Sequence, residues 1–494
     1  MMRHLFCILL TFFLTNCSDK QKTTVDNSLV LAKVGSKNIT IQDFIRRAEY
    51  TIRPKYCRRG NYIHKKIILN SLIAEKILSL EIEKNNNKKL NNVNFDLFLK
   101  GRKEQAMRQL HYNDNFFEKV NLEKEEINQY LNLSRRSVQL NYINLPGIDM
   151  VKKVQYLISE NITLDSIYQA LWEGNTPQKN VKWLDRESDQ ILDVIFKEDL
   201  KVGQIIGPLE TGDSSFLMMQ VTGWIDQPAI TESQKELNRN DVIEKLTEQS
   251  AKKAHSEWVK SLMSNKSITF NKDIFKIYSK YAGDFYLKKE DEKKEAINDV
   301  IWDQVENNDQ KKIIDLDKEN ILDLESTLFS YKGNDWSVKK FHEELKSHPL
   351  VFRKKKMGKS QFPSQLRLAI ADFIRNKEIT SECYKLGIDN NWVVKSNVDM
   401  WRDAFSSQNY MDVGNQSEKE KLNLYNPIVD SLQSIYSPEI KINIDAFENI
   451  ELSSTDMMVT QSGVPYPIVV PSFPILTDDS KLNYGEKMEL PDEN

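Results

Sequence analysis

Hydrophobic positions recur with two different periods along this chain, and the changes of period mark its expected parts. Leu29 to Gly35 reads as a short strand entering a turn at Gly35-Ser36-Lys37-Asn38. Thr40 is a hydroxyl N-cap and predicts a helix through Tyr50. Ile67, Ile68, Leu72, Ile73, Ile77 and Leu80 fall at helical spacing, so a longer helix is expected from about His64 to Asn85. Further helices are expected near 95–117 and 123–131. At Arg136 the period drops to two. Ser137 to Leu145 alternates and stops at Pro146-Gly147, the pattern of a strand. Short helices near 149–159 and 163–173, a strand-like Val181 to Leu184, and a strand pair punctuated by Gly203 and Gly207-Pro208 follow. Together they predict a compact α+β unit over 136–227, set between helical regions. Helix resumes from about Glu232 to Ser264.

The second half repeats the first in weak form. Ser330 to Phe341 parallels Ala32 to Phe44, each giving strand, turn, hydroxyl N-cap and helix. Ile370 to Leu386 parallels the long helix around Leu72 to Asn85. Ile428 to Leu432, then Ile440 to Ile444 and Ala446-Phe447, matches the segment Trp258 to Leu262, Ile268 to Phe270 and Asp273 to Phe275 that closes the first half. The shared order of three segments points to a duplication in which the second copy lacks the 136–227 unit.

The N-terminus reads as processing signal. Arg3 supplies a positive charge, and Leu5 to Leu14 is an uncharged run well short of the ~20 apolar residues that span a bilayer. Polarity changes abruptly at Cys17. Leu14-Thr15-Asn16-Cys17 resembles a bacterial lipobox, with Asn16 departing from the usual small residue before the Cys. The resemblance implies cleavage after residue 16, a lipid on Cys17, and a polar tether over 17–28. Ser18 leans toward the outer membrane.

Composition narrows the classes. At 494 residues the chain is expected to form several domains, since single cores rarely exceed ~250–300 residues. A net charge of −3 gives no electrostatic ground for nucleic-acid binding. The basic run Arg353 to Lys356 is read as a solvated helix face. Cys57 and Cys383 are expected to be unpaired thiols. No CxxC, HExxH, GxSxG or GxxxxGK[ST] occurs, so no metal or other cofactor is expected.

This ordering of parts resembles the SurA- and PrsA-type periplasmic chaperones, in which the inserted unit is a parvulin-type peptidyl-prolyl isomerase. The most specific likeness is Leu200-Lys201-Val202-Gly203-Gln204-Ile205-Ile206-Gly207-Pro208-Leu209-Glu210-Thr211. The resemblance implies an α+β fold of mostly helical, duplicated chaperone modules. Their bounds are 29–135 for the first helical module, 136–227 for the parvulin-like insert and 228–324 for the helical return and connector. The second module takes 325–450 and an extended tail 451–494. It also places the family's two strand histidines at Tyr142 and Leu217. The six histidines are His4, His64, His111, His255, His342 and His348, and none of them, nor any cysteine, lies between Arg136 and Gln227. Leucine neither donates nor accepts a hydrogen bond. The insert is therefore expected to keep the fold and lose efficient catalysis. Tyr142, Trp183, Phe216, Leu217, Met218 and Met219 remain as candidate lining of an apolar peptide groove, or as plain core. Period-two alternation lets only one face of the last strand point into it.

The implied function is a membrane-tethered chaperone for unfolded exported or outer-membrane polypeptides. A slow isomerase, or a scaffold with one stoichiometric assembly partner, are the alternatives. Prolines at 465, 467, 471 and 474 force the tail to be extended. It is read as a tethered pseudo-substrate, a partner-docking segment, or a strap packed on a neighbouring domain.

Overall fold

The computed structural model describes residues 29–84, 93–185, 187–212, 215–287, 313–315, 321–354, 356–410, 417–453, 457, 461 and 464–488. Cys17, the leader and the tether lie outside the described residues. The fold is α+β, mostly helical, with small sheets. The chain forms two units. One gathers Met1–Asn85, Asp403–Asp456 and Pro471–Asn494, and the other Asn86–Arg402 with Met457–Val470. These bounds cut across the linear segmentation expected from the sequence.

The terminal unit begins with the expected hairpin, Val30–Val34 and Lys37–Thr40, turning at Gly35 with φ +56°. Thr40 caps the helix Ile41–Glu49 through a capping box with Asp43, each bond 3.0 Å. The helix Tyr62–Lys84 is buried over most of its length, which brings polar side chains inside, where they find partners. Arg47 and Glu75 form a two-pronged ion pair at 2.8 Å per oxygen. Asp403 receives Lys76 at 2.7 Å and both Lys37 and Ser79 at 2.8 Å. Burial opposes the Asp403 charge, but the two ammonium groups hold its pKa below the ordinary carboxylate value. The apolar core around these pairs includes Leu31, Phe44, Ile68, Ile442 and Phe447.

The central unit contains the second hairpin, Thr327–Tyr331 and Asn334–Ser337, with Lys332 and Gly333 at φ +52° and +72° in its turn. Ser337 caps the helix Val338–Ser347. The helix Val93–Tyr112 passes so close to that helix that a Cβ on Gly101 would overlap the Ser347 carbonyl. Only glycine fits there. The described residues of the basic run, Arg353, Lys354 and Lys356, form no helix face. Arg353 lies outside any helix and pairs with Asp372 at 2.8 and 2.9 Å.

Each hairpin is closed by a third strand. Ile440–Ile442 pairs antiparallel with Val30–Val34, at Ala32 opposite Ile442, whereas Ile268–Phe270 pairs with Thr327–Tyr331, at Phe329 opposite Phe270. The two closing strands have exchanged hairpins relative to sequence order. Both are three-residue strands followed by an Asn-capped helix, Asn443 before Ile444–Asn449 and Asn271 before Lys272–Tyr286. Local pattern therefore makes them interchangeable. In the terminal sheet a fourth strand, Glu486–Lys487, adds parallel to Ile440–Ile442.

Cys57 and Cys383 are both free and buried, and burial pushes each thiol up to about 12.

Candidate functional site

Residues Arg136–Pro146, Gln178–Val181, Ile205–Gly212 and Ser215–Asp226 form a four-stranded antiparallel sheet within the central unit. Its order is second, first, fourth, third. Strand alternation decides where the candidate groove residues go. Tyr142 stands opposite Met219 and Asn144 opposite Leu217. One residue along, Ile143 faces Met218 and Leu145 faces Phe216.

On one face Leu217 and Met219 pack with Trp183, Leu192 and Phe196, and with Val242 and Leu246 from the long helix Glu232–Leu262. Tyr142 packs against the edge of this cluster and is half-buried. On the other face Met218 is fully buried against the helices Ile148–Ser159 and Leu164–Leu171, with Phe216 half-buried beside it.

The six candidates therefore do not line one groove. Trp183 is 1% exposed, with ring centroids of Tyr130 and Phe196 at 5.0 and 5.7 Å, so it is a core residue. Leu217, Met218 and Met219 are core as well. Both sheet faces are covered because helices lie on either side.

The polar groups near the sheet are few. Tyr130 donates to Asp193 at 3.1 Å, and burial followed by the neighbouring charge of Asp189 raises Asp193. Asn141 donates to Asp165 at 2.8 Å on the opposite face. At the root of the sheet a cleft of about 700 Å³ is bordered by Leu131, Arg135, Arg136, Asp226, Glu232 and Arg239. Its charges are partly spent on each other: Arg136 holds Asp226 at 2.8 Å and lies 4.5 Å over the Trp224 ring. Among the described residues, no Ser, Thr, Cys or His borders this cleft.

Ile148, Tyr156 and Leu171 on the helix pair that covers the Met218 face, and Ile162 in the connection between the two helices, are 50, 64, 41 and 39% exposed. These four large apolar side chains stay exposed among polar neighbours that include Lys152, Lys153, Gln155, Asp165 and Gln169. Sequence pattern does not single these out, because each sits in a helix or turn whose other face carries an ordinary core stripe.

A second cluster was not legible either. His111 and His255, from the helices Val93–Tyr112 and Glu232–Leu262, meet among Phe116, Trp258 and Tyr466. His255 is pushed down to about 4 by burial, then by His111 and Arg375. Tyr466 comes from the proline-spaced tail and donates to Asn376 at 3.1 Å.

No protein-family model matches the sequence, and no curated protein matches it. Among solved structures, the peptidylprolyl isomerase PrsA from Bacillus cereus, solved at 2.55 Å, is similar at 14% identity. The match covers 49% of this chain and 93% of that one, with a TM-score of 0.19. A likeness that distant carries no functional argument.

Proposed function

We propose that this chain is a chaperone of the periplasmic side, tethered to the membrane through a lipid on Cys17, that holds unfolded exported or outer-membrane polypeptides. In this reading the two capped hairpins stem from a duplication. The four-stranded unit is a parvulin-like insert that retains its frame and has lost its catalytic groups.

The exposed apolar row Ile148, Tyr156, Ile162 and Leu171 carries the proposal. Four large exposed apolar side chains on one helix pair and its connection favour association with other apolar chains, at roughly 25 cal/mol per Å² of surface removed from water. The lack of His and Cys between Arg136 and Gln227 supports a binding role over isomerisation.

The test is light scattering of a denatured, aggregating protein diluted into the purified chain, with wild type compared to Ile148→Ser/Tyr156→Ser. The double variant is expected to keep its fold and lose most of the suppression. Equal suppression by the two proteins removes this surface as the holding site, and no suppression by either favours the scaffold alternative.

A further inference from the structure

The proline-spaced tail supplies a second kind of binding surface. Within the terminal unit, residues 471–479 lie outside any helix or strand, with a bend at Leu476, and three buried side chains donate to their main-chain carbonyls. Arg47 Nη2 reaches Ser472 O at 2.9 Å, Ser71 Oγ reaches Thr477 O at 3.2 Å, and Asn70 Nδ2 reaches Asp479 O at 2.8 Å. Contacts to carbonyls are blind to side-chain identity, and they suit a segment in which Pro471 and Pro474 have no N–H to offer.

The donors are fixed in place from behind. Glu75 grips the Arg47 guanidinium through both oxygens, one N–H of Nη1 and one of Nη2, and the second N–H of Nη2 points at the tail. Gln433 donates to Asn70 Oδ1 at 2.6 Å, which turns its amide N–H₂ toward Asp479. Side-chain selection comes from two apolar pockets. Phe473 enters the core around Phe44 and Phe447, while Leu476 enters a cluster with Ala74, Leu78, Tyr425 and Val429. Asn426 adds a bond to the Asp478 side chain at 2.8 Å.

We propose that residues 471–479 are the built-in occupant of a groove that reads main-chain carbonyls. The same groove takes an extended, proline-containing segment of another polypeptide bearing two large apolar side chains. Arg47, Ser71 and Asn70 are buried donors that need acceptors, so the groove is emptied by exchange, one carbonyl ladder replacing another. The tail then sets a threshold, because a client displaces it only when its own Phe- and Leu-like side chains fill both pockets. This site is separate from the exposed row on the four-stranded unit, and the two fail independently.

The probe is a fluorescein-labelled peptide with the sequence of residues 469–481, followed by fluorescence anisotropy on the full chain. Phe473→Ala/Leu476→Ala, which loosens the resident tail, is expected to bind the probe at least tenfold more tightly than wild type. Adding Ser71→Ala to that variant is expected to weaken the probe several-fold. Ile148→Ser/Tyr156→Ser is expected to leave probe binding at the wild-type level.

Equal affinity of wild type and the loosened variant overturns the proposal. If the loosened variant loses its fold, amide exchange in the wild type decides. A hundredfold excess of unlabelled peptide is expected to speed exchange over residues 472–480, and unchanged exchange there overturns the proposal.

Discussion

Arg47 and Glu75 lie side by side in the terminal unit, 1% and 2% exposed, bonded at both carboxylate oxygens, while the second N–H of Arg47 Nη2 reaches the carbonyl of Ser472. An ion pair this deeply buried adds little over an apolar pair, yet removing one member strands the other. Arg47→Met is therefore expected to destabilise the terminal unit by about 3–5 kcal/mol. Arg47→Met/Glu75→Leu is expected to recover most of that loss. Urea unfolding followed by amide exchange within residues 30–84 measures both variants, and a double variant as unstable as the single one contradicts the account.

Gly101 is required by a contact. Alanine would ordinarily favour a helix interior by up to ~1 kcal/mol over glycine, but here its methyl meets the Ser347 carbonyl. The clash outweighs the propensity gain, so Gly101→Ala is expected to cost about 1–3 kcal/mol net. A thermal shift upward for this variant would show that the two helices do not approach as described.

The parts of this architecture set by local chemistry were legible in the sequence. Thr40 and Ser337 cap the helices expected of them, and period-two alternation located the strand Arg136–Pro146. Partner choice was not legible. Ile268-Thr269-Phe270 and Ile440-Lys441-Ile442 are too short to encode which hairpin each joins, and the pairing is settled by the packing of whole units. Trp183 shows the same limit from the other side. An aromatic in a strand-rich stretch fits a groove or a core equally well in pattern, and it packs between Tyr130 and Phe196. The meeting of His111 with His255 had no local signal, since the two lie on separate helices far apart in sequence.

That histidine pair is expected to make the central unit acid-sensitive. The folded-state pKa of His255 is lowered from 6.5 to about 4, by burial first and then by His111 and Arg375. Burial lowers His111 as well. A lowered imidazole pKa means that the unfolded chain binds the proton more readily. The contribution is complete above pH 6.5 and is lost as pH falls toward 4. His255→Phe is expected to reduce the loss of stability between about pH 7 and 4.5 by on the order of 1–3 kcal/mol. The measurement is the denaturation midpoint against pH for both proteins, and parallel curves contradict the assignment.

The proposed tether rests on Cys17. Metabolic labelling with a fatty-acid analogue is expected to mark the wild-type chain in the membrane fraction. Cys17→Ala is expected to lose both the label and the membrane association. Equal labelling of the two would reduce Cys17 to an ordinary residue near the leader.

In the proposed function, the outer face of the helix pair Ile148–Ser159 and Leu164–Leu171 holds unfolded chains. The most direct test replaces Tyr156, 64% exposed, by a photo-crosslinking phenylalanine analogue and illuminates living cells. The expected result is crosslinking to many exported polypeptides, increasing when unfolded precursors accumulate. A single folded partner at fixed stoichiometry, unaffected by that accumulation, would contradict the chaperone account.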